Sequence, residues 1–496
     1  MTTTRPAAVA ETHSAAVFFL GDRAYKVKKP VELGFLDFRT RQARHDICHR
    51  EVTLNRRLAP DVYLGVADVH GPNGELCDHL VVMRRMPPER RLSTLVEAGD
   101  RVDDHLWQLA HLLAAFHAQA ERSPAADEAA RAHALGTRWA DNTASLLDHS
   151  HVLGERNMVE HVHELARRYL AGRQPLFERR IAEGRACDGH GDLLADDIFC
   201  LDDAPRVIDC VEFDDQLRYG DVLADVAFLA MDLDRLGHPE LARRFLAAYC
   251  EHANDTWPAS LADHHVAYRA HVRAKVSAIR AAQGDADSAA AARRLLEMTH
   301  GHLEDARVRL VLVGGLPGTG KSTLAAGLGD ALGATVLRSD EVRKELAGMS
   351  VTAPAEAAFG EGIYTPGFTA AAYEALLRRA RIALELGETV ILDASWTDQQ
   401  WRAEAEQVAR RVEADLVQLE CQAPAELAAT RLRQRAEARQ AASGVADSSD
   451  ATPDIAQVLA QTAAPWPAAT TIDTSTTSEA ALTTALGRVQ GCDMLA

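Results

Sequence analysis

Apolar and polar positions divide the chain into stretches of different period. Ala15–Leu20 is a short apolar run, Gly21-Asp22 is a turn signal, and Ala24–Lys28 then alternates, which predicts a β-hairpin. Arg41–Leu58 has helical spacing at Ile47, Val52 and Leu54–Leu58. Val62–Val69 and His79–Met86 read as strands on either side of the Gly71-Pro72-Asn73-Gly74 turn. From Val102 to Cys187 the period becomes helical, with Leu106, Leu109, Leu112, Leu113, Phe116 and His117 three and four apart. Within it, Ser123–Ala134 is Ala-rich and charged, and reads as a surface loop or a short helix. Ile198–Leu201 and Arg206–Val211 are short strand-like pieces, whereas Leu223–Leu236 and Pro258–His302 are again helical.

Near Glu304–Arg307 the character changes. Leu310–Val313 is an aliphatic run leading straight into glycines, the look of a strand buried on both faces. Thr335–Leu337, Thr389–Leu392 and Asp415–Glu420 then alternate with helical stretches, which is the α/β signature. The expected division is 1–302, an α+β region with a small β-rich lobe and a helical lobe, followed by 308–496, an α/β region with a mostly parallel sheet. Ala436–Thr452, rich in Ala, Ser, Gly and Asp, reads as a mobile loop.

Composition narrows the class. The chain has 496 residues, 47% apolar and 25% charged, which is globular usage with room for two to four domains at about 100–200 residues each. The formal charge of −18 opposes polyanionic partners, both nucleic acid and anionic membrane. Met1–Glu11 lacks the pattern of a signal peptide, and no apolar run approaches the length of a membrane span. The eight cysteines include no CxxC pair, which suits reduced thiols in the cytoplasm. The His149–His151 and His161–His163 stretches do not have zincin spacing and read as solvated helix surface. The oligomeric state is left open.

Gly315-Leu316-Pro317-Gly318-Thr319-Gly320-Lys321-Ser322 fits GxxxxGK[ST] at every fixed position, after a strand and before the helical Thr323–Leu332. Glycines allow successive backbone N–H groups to curl round phosphates at a helix N-terminus. Gly315, Pro317, Gly318, Thr319, Gly320, Lys321, Ser322 and Thr323 are the expected nucleotide-binding set, with Ser322 also a Mg2+ ligand. Asp393 ends an apolar strand, where such a protein places its second metal-holding group. Asp340 and Arg343, in Arg338-Ser339-Asp340-Glu341-Val342-Arg343, resemble the Asp-x-x-Arg of polynucleotide kinases, zeta toxins and related sugar-acid kinases. That resemblance implies a catalytic base at Asp340 and a substrate or phosphate contact at Arg343. In Ala425–Arg439, Arg431, Arg435 and Arg439 share a helix face beside Arg433, as in a kinase lid. Arg435 is the expected phosphate contact, although any of the four fits.

In the first region His190-Gly191-Asp192-Leu193 precedes Asp197 with the spacing of a kinase catalytic loop, but with Asp where Asn is usual. Asp209 ends the strand Val207-Ile208-Asp209, and Gly220-Asp221 and Asp225 open a helix. Lys26 lies on the second hairpin strand, and Glu51 lies on the following helix and could pair with it. Lys28 points the same way as Lys26, so either suits the nucleotide, and Lys26 is the choice. Thr12-His13-Ser14 occupies the position of a phosphate-covering loop without its glycines, and Val81-Val82-Met83 that of the strand entering an interlobe hinge.

This ordered set resembles the aminoglycoside phosphotransferase-like family, which has the protein-kinase fold. The chain as a whole is similar to bacterial two-domain proteins that join such a domain to a small P-loop kinase domain. The similarity runs through Tyr25-Lys26-Val27-Lys28-Lys29-Pro30, the His190–Asp192 loop, Val211-Glu212-Phe213-Asp214 and Gly315–Ser322. It implies an ATP- and Mg2+-dependent phosphotransferase with two kinase-type sites acting on a small hydroxylated molecule. Asp192 would be a catalytic base, and Asp197 and Asp209 metal ligands. A polynucleotide or nucleoside end kinase, an aminoglycoside-modifying enzyme and a non-catalytic nucleotide sensor are the competing readings.

Overall fold

A computed structural model describes residues 8–11, 14–32, 37–350, 361–441 and 452–491. The chain forms two compact units. The first comprises Met1–His163, Phe177–Trp257 and Ala262–Leu303, and the second comprises Glu164–Leu176, Pro258–Leu261 and Glu304–Ala496.

In the first unit β1 (Ala8–Glu11), β2 (Ala15–Leu20), β3 (Arg23–Lys28), β4 (Tyr63–His70) and β5 (Leu76–Arg84) form a five-stranded sheet in the order β1-β2-β3-β5-β4. Every pairing is antiparallel, and Lys26 lies opposite Val81. The expected hairpin is β2 and β3. The added edge strand β1 has all four residues exposed, so it left no apolar pattern to read. The helix Arg41–Asn55 is capped by Thr40, whose side chain accepts from Ala43 N at 3.1 Å. It buries Cys48 and Val52 against Ala24, Tyr63, Val81 and Met83. Helical structure then dominates from Leu92 to Ala182.

The Ser123–Ala134 stretch is helical and packed rather than a surface loop. Ser123 caps Pro124–Ala130, and Ala126, Ala129 and Ala130 are buried, because small side chains let the helix approach its neighbours closely. Two short antiparallel pairs follow: β6 (Ala186–Asp188) with β9 (Tyr219–Asp221), and β7 (Ile198–Cys200) with β8 (Pro205–Val207). Helices Val222–Arg235, Pro239–Ala253, Ala259–Ala282 and Ala286–Asp305 complete the helical part.

The second unit holds β10 (Arg309–Gly314), β11 (Thr335–Arg338), β12 (Val390–Asp393), β13 (Asp415–Gln422) and β14 (Thr470–Asp473) in the order β11-β12-β10-β13-β14. All pairings are parallel. Val311, Val313, Ile391, Leu419 and Ile472 form its core with Leu324 and Leu328 of the helix Lys321–Leu332. The sequence did not disclose β14, which buries only Ile472. The Glu164–Leu176 segment joins this unit through Arg173, whose Nη1 donates to Val412 O at 2.6 Å, and Arg168, whose Nη2 donates to Asp415 at 2.9 Å. Among the described residues, no helix is long and apolar enough to cross a membrane.

Candidate active sites

In the second unit β10 runs directly into the glycine loop. Gly315, Gly318 and Gly320 have φ of +129°, +81° and +89°. A Cβ at Gly315 would lie 2.4 Å from Cys421 O, and one at Gly318 would lie 2.6 Å from Ala428 O, so the loop passes where no side chain fits. Thr319 Oγ1 donates to Leu316 O at 2.7 Å, and Thr474 Oγ1 donates to Thr319 O at 2.6 Å. These bonds set the curl of the backbone, and Gly320 opens the helix that starts at Lys321.

Lys321 Nζ donates to Leu316 O at 3.0 Å, folded back over the loop. Burial lowers its pKa, opposed by Asp393 and Asp340. Asp393, at the end of β12, is buried and its carboxyl is raised by that burial, while Lys321 and a hydrogen bond from the Ser322 hydroxyl favour the charged form. Asp340 sits in the first turn of the helix Ser339–Leu346. Arg343, one turn on, is buried, with Nη1 donating to Ile363 O at 3.0 Å and Thr369 Oγ1 at 2.9 Å. Its guanidinium lies 5.0 Å from the Tyr364 ring, and its Nε is buried without a hydrogen-bond partner.

Lys321, Ser322, Asp340, Arg343, Asp393 and Arg435 all line one cavity of about 1420 Å³, together with Pro317, Gly318, Gly320 and Thr323. Gly315 and Thr319 shape the loop without lining the cavity. Arg431 also lines it, with Nη2 on Thr474 O at 2.8 Å and Nη1 buried without a hydrogen-bond partner near Gly320. Arg433 is exposed and bonds back to its own helix at Ala429 O. The Arg439 side chain, residues 351–360 and residues 442–451 of the expected loop lie outside the described residues. Another part of the cavity wall carries Tyr373 stacked on Trp401 at 5.1 Å.

The first unit assembles its candidates from distant segments. Lys26 Nζ lies 2.8 Å from Glu51 Oε1 and 2.6 Å from Asp209 Oδ1. Lys28 Nζ lies 2.6 Å from Glu51 Oε2 and 2.5 Å from Glu212 Oε1. The Lys26 side chain keeps 14% of its surface and that of Lys28 only 1%, so Lys26 is the accessible one. Burial would raise the Glu51 carboxyl, but the two lysines hold it below its ordinary value.

The His190–Asp192 loop hangs from Asp225. That carboxylate accepts from His190 N and Gly191 N at 2.8 Å each and pairs with His117 Nε2 at 3.0 Å. A Cβ at Gly189 would lie 2.8 Å from Asp225, so the close approach requires glycine. Burial pushes His190 down to about 4 and Asp192 up to about 6, the latter opposed by Arg273 and Arg269 and reinforced by Asp209. Pairing of Ile198 with Val207 brings Asp197 and Asp209 to the same end of the β7–β8 hairpin, where Ile208 N donates to Asp197 O at 3.0 Å. Burial, then Asp209 and Asp192, raise the Asp197 carboxyl, whereas Lys26 holds Asp209 low. Asp209 has φ +67°, the left-handed region, with its N–H donating to Tyr63 Oη at 3.1 Å. A side chain held in that conformation at the mouth of a carboxylate cluster is the kind of local strain found at functional sites.

Thr12 and His13 lie outside the described residues, and Ser14 O accepts from Lys29 N at 2.8 Å. Val81-Val82-Met83 lies on β5. Sequence reasoning missed Glu212 as a partner of Lys28, and His117 and Tyr63 as supports; Arg431, one of the four arginines offered for the phosphate contact, lines the cavity beside Arg435. Only Glu212 had a signal, as part of Val211-Glu212-Phe213-Asp214.

Residues 8–262 match the phosphotransferase enzyme family, and residues 310–461 match an AAA domain. An uncharacterized protein of Mycobacterium tuberculosis is 43% identical over 467 residues, covering 94% of this chain and 92% of its own. A choline/ethanolamine kinase family protein from Mesorhizobium loti is 15% identical over 61% of this chain and 89% of its own, with a TM-score of 0.38. A gluconokinase from Sinorhizobium meliloti is 16% identical over 37% of this chain and 93% of its own, with a TM-score of 0.26.

Proposed function

Since the chain belongs to the phosphotransferase enzyme family through residues 8–262, we propose that it is an ATP- and Mg2+-dependent kinase with two nucleotide sites, each phosphorylating a hydroxyl of a small molecule. The functional division taken here is 1–302 and 308–496, and the setting is the cytoplasm. The observation that carries the reading is the single cavity shared by Lys321, Ser322, Asp340, Arg343, Asp393 and Arg435. Backbone N–H groups, hydroxyl and carboxylate oxygens and cations on the wall of one cavity support phosphoryl transfer there.

In that cavity the glycine loop and Lys321 bind the β- and γ-phosphates. Asp340 accepts the acceptor's hydroxyl proton as its oxygen attacks the γ-phosphorus, and the bond to the β–γ bridging oxygen breaks to release ADP. Arg343, Arg431 and Arg435 stabilise charge spread over the transferred group. In the first unit Lys26 holds phosphate, Glu51 orients Lys26, and Asp192 is the base. The donor sets fit a hard divalent cation: Ser322 with Asp393, and Asp197 with Asp209. When bound, Mg2+ would be held by these oxygens and would neutralise phosphate charge. The raised Asp197 carboxyl favours this reading, because a carboxylate crowded by Asp209 and Asp192 gains from a cation. The net charge of −18 supports small acceptors over nucleic acid.

The test is ATP consumption by the full chain against a panel of sugars, aminoglycosides and nucleosides. Wild type would be compared with Lys321→Ala and Asp192→Asn. Each variant should lower turnover of a different acceptor. If turnover of every acceptor and ATP affinity survive both changes, the reading is wrong.

A further inference from the structure

The first unit carries a second buried ion pair whose place in the fold goes beyond the lysine–glutamate pair already described. Asp209, Lys26, Glu51, Lys28 and Glu212 form a ladder of contacts of 2.6, 2.8, 2.6 and 2.5 Å in that order. Both ends of the ladder lie in one short segment, Asp209–Glu212. Its middle is the Glu51 carboxylate, whose two oxygens each serve one lysine. Lys28 has almost no accessible surface and stands 5.8 Å from the Phe38 ring centre, so it has no route to a ligand.

Stability alone explains this pair poorly. Buried ion pairs bear a desolvation cost that often equals or exceeds their attraction, and apolar replacements of similar volume frequently serve as well. Geometry explains it better. Lys26 and Asp209 bind each other here, yet each must turn to a different partner, phosphate and cation, when Mg·ATP arrives. At that moment the Lys26–Asp209 contact is released. Among the described residues, Lys28–Glu212 is then the remaining side-chain ion pair between β3 and the Asp209–Glu212 segment. The segment's other ties, among them Asp209 N to Tyr63 Oη at 3.1 Å, Cys210 N to Asn55 Oδ1 at 2.9 Å, Val211 N to His190 O at 3.2 Å and Arg218 Nη1 to Val211 O at 2.8 Å, run to other parts of the unit.

We propose that Lys28 and Glu212 are positioning residues of the N-terminal site. Their ion pair fixes the second oxygen of Glu51 and the segment carrying Asp209, so that Lys26 and Asp209 stay in register while they exchange each other for phosphate and cation. This inference rests on the reading of that site as a nucleotide site.

The experiment uses the full chain with Lys321→Ala to silence the second site, and follows Mg·ATP binding calorimetrically while Mg2+ is titrated. The charge-neutral double variant Lys28→Met/Glu212→Met should keep a cooperative melt. It should need about 10–100-fold more Mg2+ for the same ATP affinity, the usual cost of losing an outer-shell support. Glu212→Gln, which leaves Lys28 paired with Glu51, should move the Mg2+ requirement the same way by less. A folded double variant with unchanged Mg2+ and ATP affinities would overturn the inference. So would an unchanged Glu212→Gln beside a double variant that does not fold, since the pair would then serve stability alone. If the Lys321→Ala parent itself binds no Mg·ATP, the N-terminal site reading fails and takes this inference with it.

Discussion

The glycine loop of the second unit and the carboxylate cluster of the first, both proposed above as nucleotide sites, are built from opposite materials. The loop runs through eight consecutive residues, Gly315–Ser322, and most of its donors are backbone N–H groups whose direction is set by positive-φ glycines. The cluster draws Lys26, Glu51, Asp192, Asp197 and Asp209 from separate segments and depends on side-chain charges partly removed from water. A backbone cradle tolerates loss of any one side chain except the lysine at its rim. A charge cluster is balanced as a whole, so one neutralisation shifts its neighbours. The two sites are therefore expected to fail differently.

The largest expected effect is on turnover at the N-terminal site. Asp192→Asn should lower it by about 10²–10⁴, with Mg2+ dependence nearly unchanged, because a base acts only in proton transfer. In wild type the same site should lose rate as pH falls through about 6, where Asp192 takes up its proton. A pH–rate profile of the Lys321→Ala chain reads this directly, and a profile flat from pH 5 to 8 would remove Asp192 as the base.

Lys321→Ala should weaken ATP binding at the glycine loop by roughly 10–100-fold, the worth of a charged hydrogen bond to phosphate. Calorimetry on the full chain should then show one tight ATP where wild type shows two. Retention of two tight sites would deny the contrast between them.

Metal requirement separates the sites next. Asp209→Asn should raise the Mg2+ needed at the N-terminal site about 10-fold while leaving the loop site alone. Asp197→Asn should be mild, since it keeps an oxygen ligand and relieves the like-charge crowding that raises Asp197. A sharp gain in activity would instead mark the natural Asp as a brake, and this domain as more sensor than enzyme.

The smallest effect concerns stability. His264, His265 and His271 are buried in the first unit, and burial holds His264 well below its ordinary value, with His265 at about 4 and His271 at about 3. A histidine kept neutral by the fold contributes stability above its unfolded pKa of about 6.5, and that contribution is lost as pH falls below it. His302, held up at about 9 by Asp234 and Asp263 despite burial, works in the other direction and loses its contribution as pH rises through 9. With His190, also pushed down to about 4 by burial, four groups against one make the first unit the acid-sensitive one. Between pH 7 and 5.5 its melt should fall while that of the second unit moves less, and His264→Leu should reduce the loss by about 1 kcal/mol. Equal acid sensitivity of the two melting transitions would contradict this.

What could be read in advance follows the same division. The phosphate loop was legible because it is contiguous and its glycines, lysine and hydroxyl are each demanded by local geometry. The N-terminal set was legible only as an ordered series, since no member is distinctive alone. Arg431 and Arg435 share a helix face, and both face the cavity, whereas Arg433 lies off that face. The edge strands β1 and β14 were missed because strands that bury almost nothing leave no periodic trace.

By itself, the sequence determined the two classes of fold, the strand–loop–helix around Gly315–Ser322, and the residue types at each candidate site. These follow from period, turn chemistry and spacing, which act over a few residues. Only the tertiary structure decided that Lys28 answers Glu212 while Lys26 stays accessible, and that Asp225 holds the His190–Asp192 loop by its backbone. It alone packs Glu164–Leu176 and Pro258–Leu261 with the chain that follows Glu304. Each of these joins residues far apart in sequence, where the outcome depends on which buried charge or unpaired backbone group finds a partner, and local pattern carries no information about that.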